Sequence, residues 1–120
     1  MTNTHINVGG HKITTNKVGQ VHYVTSGFIN GYTGTLRWCV TNGICVIATD
    51  GWGRSSGDGR IIGYTGLPPA KMPCFSQVGD NYGNLGIDTQ GNLSVYQGSG
   101  NLVQLWHELV YPVADDWVES

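Results

Sequence analysis

Charge is what this chain has least of. Lys and Arg number six, Asp and Glu eight, and together they make 12% of the residues, about half the share of an ordinary globular domain. Ala occurs only three times. A chain so poor in Ala, Glu, Lys and Arg cannot furnish the solvent faces of several helices. The six cations, Lys12, Lys17, Arg37, Arg54, Arg60 and Lys71, are scattered, so no basic stripe exists to hold nucleic acid. The longest apolar run is the six residues from Leu109 to Ala114, and the first residues lack a basic and then apolar leader. Neither a membrane span nor a signal peptide is expected. If the protein works outside the cell that made it, it is expected to leave by lysis, by another machine, or as part of a larger particle. Three cysteines cannot all pair within one chain, so disulfides do not organise the fold.

Abundant instead are 19 Gly, nine Asn, eleven Thr, seven Ser and twelve Val, residues of turns and strands. Turn signals recur every eight to twelve residues, at Gly9-Gly10, Asn30-Gly31, Asn42-Gly43, Gly51 to Gly59, Pro68-Pro69, Asp80 to Gly83, Gln90-Gly91 and Gly98 to Gly100. That rhythm predicts an all-β antiparallel sandwich, jelly-roll-like, of eight or nine short strands. They are expected near 20–29, 35–41, 44–49, 60–65, 74–78, 84–88, 92–97, 102–107 and 109–113. The domain spans 19–113, with an N-terminal arm or first strand over 1–18 and a C-terminal tail over 114–120. Residues 101–110 also fit helical spacing, but strand is favoured for so short a segment before Pro112. Gly-Asn-Leu begins at Gly83, Gly91 and Gly100, the rhythm of a meander.

Two hairpins can be registered by requiring apolar side chains to share a face. A three-residue loop Thr89-Gln90-Gly91 pairs Ile87 with Leu93 and Leu85 with Val95, with Gly86, Asp88, Asn92 and Ser94 turned outward. The same rule applied to Thr41-Asn42-Gly43 pairs Val40 with Ile44, Trp38 with Val46 and Leu36 with Ala48. It also sets Cys39 opposite Cys45, where a bridge is conceivable, although reduced thiols are favoured.

Catalytic patterns are present only in outline. Gly53-Arg54-Ser55-Ser56-Gly57 matches a nucleophile elbow, but no helix follows and the chain is too short for the parallel sheet that motif needs. Gly57-Asp58-Gly59 lacks the third glycine of a dinucleotide loop. Asp50 with Asp58, or Asp80 with Asp88, could form a glycosidase pair, yet all sit at turns, where Asp bonds its own backbone. Asp80 to Asn84 lacks the calcium-loop pattern, and His5, His11, His22 and His107 stand apart in sequence. No catalytic residue, metal or cofactor is assigned. The candidate binding residues are Asp50, Trp52 and Arg54 in one turn and Asn81, Tyr82 and Asn84 in another. There a ring can stack on the C–H face of a sugar while amides, carboxylate and guanidinium take its hydroxyls. Burial of both rings against the core is the alternative. Trp38 and Trp106 are expected in the core or at an interface.

Leu67-Pro68-Pro69-Ala70-Lys71-Met72-Pro73, followed by a strand and then by Asn84-Leu-Gly-Ile-Asp-Thr-Gln-Gly-Asn-Leu-Ser-Val-Tyr96, resembles the C-terminal jelly-roll domains of bacteriophage baseplate and tail-fibre proteins. The hairpin Val40-Thr-Asn-Gly-Ile-Cys-Val46 precedes the Leu-Pro segment as it does in those domains. The resemblance covers residues 36–113. It implies a virion protein, a non-enzymatic homotrimer contacting other virion proteins and contributing to host attachment or to the scaffold that holds the attachment proteins; the candidate binding residues point to a host cell-surface saccharide as the attachment target. A purely architectural virion role or a small lectin-like module is the alternative. Ala70 stands where those domains usually have Gly, and residues 1–18 match nothing in them. Asp88-x-Gln90-x-Asn92-x-Ser94-x-Tyr96 also resembles the mannose motif of bulb-type lectins, but with its first two residues exchanged, Ser for Val, and in one copy only.

Overall fold

The computed structural model describes residues 5–8, 11–14, 19–54, 59–78, 83–97 and 103–119. Among them every regular element is a strand: β1 His5–Val8, β2 His11–Thr14, β3 His22–Val24, β4 Thr33–Thr41, β5 Ile44–Arg54, β6 Gly59–Tyr64, β7 Cys74–Val78, β8 Gly83–Ile87, β9 Leu93–Gln97, β10 Val103–Leu105 and β11 Glu108–Pro112. β1 and β2 form a hairpin of their own. The others make two antiparallel sheets packed as a sandwich, a five-stranded sheet in the order β10-β5-β4-β3 with β11 also on β5, and a four-stranded sheet in the order β6-β9-β8-β7. The second is a Greek key, since β6 returns to lie beside the last strand of the meander β7-β8-β9. Residues 103–105 and 108–112 are strands, as favoured for that ambiguous segment.

The β8–β9 hairpin has the expected register, Ile87 opposite Leu93 and Leu85 opposite Val95. Gly91, at φ 81°, closes the three-residue loop. Gly86 and Ser94 do point away from the core, but both are buried beneath Arg60 and Phe75.

The β4–β5 hairpin departs from expectation. Asn42 and Gly43 both have positive φ, 53° and 77°, so they alone form the turn, with Thr41 opposite Ile44 and Val40 opposite Cys45. This is the two-residue turn whose twist suits the flanking strands, and Asn-Gly is its preferred sequence. Turn geometry outweighs apolar pairing here. Cys45, Ile47 and Thr49 enter the core, while Ile44 and Val46 are left on the outer face. Cys39 lies opposite Val46, not Cys45, and all three cysteines are free.

A second departure lies farther along β5. The expected strand 44–49 runs on to Arg54, through the segment read as a loop. At Asp50-Gly51 a bulge inserts one residue relative to both neighbours: Thr35 pairs with Asp50 but Thr33 with Gly53, and Glu108 pairs with Ala48 but Leu105 with Trp52. Gly51 has φ 63°, and Gly34, φ 101°, packs so closely on the Gly51 carbonyl that no Cβ would fit. One extra residue resets the inside–outside alternation, so Trp52 and Arg54 follow Thr49 into the core. The expected strand over 20–29 shortens to β3, because Gly27, Asn30 and Gly31 take positive φ and make a loop pinned by Ile29 N–H to the Gly63 carbonyl.

The Leu-Pro segment is a latch across the sandwich. Leu67, Pro68 and Ala70 are buried, Tyr111 donates its hydroxyl to the Pro68 carbonyl at 2.8 Å, and Lys71 and Ala114 amides bond Pro112 and Pro69 carbonyls. The core ends against Trp117, which meets Trp38 edge-on at 6.3 Å.

Candidate functional site

Sequence reasoning placed Asp50, Trp52 and Arg54 together on a surface turn. The structure separates them. Trp52 is wholly buried, with Tyr32 at 4.5 Å and Phe28 edge-on at 5.9 Å. Arg54 is buried too, its Nη1 donating to the Tyr32 hydroxyl at 2.6 Å and the Val95 carbonyl at 3.1 Å, its Nη2 to the Gly59 carbonyl at 3.1 Å. These contacts tie the five-stranded sheet to the four-stranded one and satisfy a desolvated guanidinium. Burial raises the Tyr32 hydroxyl pKa in spite of the nearby Arg54 charge. Neither Trp52 nor Arg54 can touch a ligand; both are corrected from binding residues to core. Asn84 lies on β8, half-buried, accepting from Arg60 Nη2. Asn81 and Tyr82, like Asp58 and Asp80, lie outside the described residues. Asp88 is a turn residue as read, its Oδ1 accepting from the Gln90 and Asn92 amides at 2.8 and 2.9 Å.

Asp50 keeps its place on the surface, and the ring beside it is Trp106, which spacing had assigned to the core or an interface. Trp106 is 69% exposed. It sits at the break between β10 and β11, where the β5 bulge forces the facing edge to interrupt its ladder. Thr49 stitches that break: its hydroxyl donates to the Leu105 carbonyl and accepts from the His107 amide, both at 2.9 Å, and its own amide bonds the His107 carbonyl. The indole lies over Gly51, where an added Cβ would meet the ring at 3.4 Å. Its Nε1–H donates to Asp50 Oδ1 at 2.9 Å. Position and tilt are thus fixed, although the ring gains little from burial.

Trp106 forms one wall of an open groove of about 620 Å³ on the outer face of the five-stranded sheet. Across adjacent strands Arg37, Ala48 and Glu108 form one row. The small Ala48 makes a floor between a guanidinium and a carboxylate, both exposed. His107 lines the groove and is held from below by Ser76 Oγ at 2.7 Å from Nε2. No group of three or more His, Cys, Asp or Glu side chains that could hold a metal ion occurs among the described residues. A second hollow of about 470 Å³ lies between the Asn42-Gly43 turn and the C-terminal segment, edged by the Lys71–Asp115 ion pair at 2.8 Å.

Beyond the groove the same sheet face is apolar. Val21 and Tyr23 flank β4, Ile44 and Val46 lie on β5 and Val110 on β11, and all five are exposed. The solvated face of an antiparallel sheet is ordinarily polar, so an apolar one of this extent is unusual.

Sequence reasoning missed Trp106 because strand position says nothing of which face a side chain takes once a bulge has intervened. The only local sign was Asp50-Gly51, a pair at home in a bulge. No family model matches the chain, and no curated protein or solved structure was found to match it.

Proposed function

We propose that this chain is a non-enzymatic recognition domain of a phage virion that binds host cell-surface saccharide in the groove beside Trp106. The observation that carries the reading is an indole held rigidly in solvent by Asp50 and Gly51. Such a ring is set for stacking on the C–H face of a pyranose, and the Asp50 and Glu108 carboxylates and the Arg37 guanidinium supply acceptors and donors for the hydroxyls. The groove is an open shelf, a geometry for holding a chain of sugars. The virion setting is supported by the resemblance of residues 36–113 to baseplate and tail-fibre domains.

The uncovered apolar face favours assembly as the second part of this reading. Copies associating as a trimer through Val21, Tyr23, Ile44, Val46 and Val110 would present several grooves at once, and linked weak sites gain avidity of roughly 100-fold or more. A glycan array followed by titration calorimetry tests binding: a saccharide bound by the native protein loses about tenfold or more affinity in Trp106→Ala, a stacking contribution of about 1.5 kcal/mol. No saccharide bound by the native protein refutes recognition and leaves an architectural role. Turnover of the bound saccharide would replace binder with enzyme, and light scattering from a stable monomer at micromolar concentration would remove the trimer.

A further inference from the structure

The opposite face of the sandwich carries a second constellation, built across all four strands of the other sheet. Arg60 leaves the edge strand β6, and its guanidinium crosses β9 to reach β8. Nη1 donates to Ser94 Oγ at 2.8 Å and Nη2 to Asn84 Oδ1. Gly86 is its seat, since a Cβ there would lie 2.6 Å from both Arg60 Nη1 and the Phe75 ring. Phe75 stands with its ring centroid 4.8 Å from the guanidinium carbon and Tyr96 at 5.9 Å. Both rings remain exposed, Phe75 by 58%.

Among the described residues this cation is oriented by neutral groups only. No carboxylate among the described residues makes an ion pair with it, and its two hydrogen-bonded partners and two rings leave three of its five N–H donors unused. Partial desolvation lowers its pKa from the ordinary arginine value. A planar fork held flat, with no ion-paired carboxylate among the described residues, suits bidentate binding of an oxyanion, and flanking rings suit an oxyanion carried on a sugar.

We propose that Arg60, with Phe75 and Tyr96, forms a second site that binds an oxyanion, the carboxylate of a uronate or a phosphate, separate from the groove at Trp106. The test is an amide and arginine side-chain NMR titration of the full chain with glucuronate and, separately, inorganic phosphate. Saturable shifts at Gly86, Phe75, Ser94 and Arg60 Nε–H are expected, weakening at high salt. Binding falls tenfold or more in Arg60→Gln, falls severalfold in Arg60→Lys, which keeps charge without the fork, and is unchanged in Trp106→Ala. Glucuronate alone binding assigns the site to acidic sugars; phosphate binding equally well assigns it to oxyanions in general. Unsaturable shifts, or equal binding by a folded Arg60→Gln protein, overturn the proposal. Loss of binding in Trp106→Ala but not in Arg60→Gln would return the ligand to the groove.

Discussion

Trp52 on β5 pairs with Leu105, and Trp106 is the next residue, at the break after β10; one ring is wholly buried and the other 69% exposed, and replacing each by Ala separates core from candidate site. Removing a buried Trp side chain costs about 3–5 kcal/mol, transfer and cavity together. At Trp52 the upper end applies, because Tyr32 is fixed by Arg54 and by the Val95 amide and cannot collapse into the space. A domain of 120 residues has about 6–18 kcal/mol of stability in all, so Trp52→Ala lowers the melting temperature by about 10–25 °C or prevents folding. Trp52→Phe is milder. It keeps most of the ring and deletes an Nε1–H that has no hydrogen-bond partner among the described residues, so its cost is below about 2 kcal/mol. Trp106→Ala changes stability by about 0.5 kcal/mol or less, while the proposed saccharide binding weakens about tenfold or more. Urea unfolding followed by circular dichroism measures all three. A Trp106→Ala protein as destabilised as Trp52→Ala, or a Trp52→Ala protein as stable as the native one, would refute the bulge-driven assignment of faces.

The remaining predictions concern packing, thiols and pH. Gly63→Ala places a Cβ 2.5 Å from the Tyr32 ring and 2.6 Å from Trp52; neither ring can move, so thermal unfolding should show a loss of about 1–3 kcal/mol or more, and an unchanged midpoint would contradict the packing. Thiol titration in denaturant should count all three cysteines. In the native protein at pH 8 Cys45 should stay unreactive, because burial pushes its thiol up to about 11; rapid native labelling of Cys45 would overturn this. For Asp88, burial by itself raises the carboxyl pKa, but the Asn92 backbone and side-chain donors and the Gln90 and Gly91 amides outweigh it and hold the group below the usual value. A depressed folded value means stability present above the unfolded value of about 4 and lost as pH falls through the folded one. Asp88→Asn should therefore flatten the acid limb of the stability profile below about pH 4, and a limb identical to that of the native protein would count against the role.

Much of the fold could be read from residue types. The shortage of Ala and charge excluded a helical domain, and strands over 74–78 and near 84–88 and 92–97 fall where the turn spacing placed them. The β8–β9 register was legible because Leu85, Ile87, Leu93 and Val95 have only one arrangement that shares a face. At β4–β5 two local signals conflicted, and apolar pairing was weighted above Asn42-Gly43. Backbone twist enforces the turn, whereas exposing Ile44 and Val46 costs only what an uncovered face costs. Of the candidate binding residues, Asp50 lies in the groove, Asn84 belongs to the Arg60 cluster, and Trp52 and Arg54 belong to the core.

Composition and turn spacing alone determined an antiparallel β-sandwich, since residues with short polar or β-branched side chains leave the backbone no better way to satisfy its hydrogen bonds and bury its apolar groups. Tertiary structure decided which tryptophan meets solvent. The alternation along β5 is reset at Gly51 only because Gly34 on one flank and Trp106 on the other accept the extra residue. Those partners lie 17 and 55 positions away in the chain, beyond the reach of any local pattern.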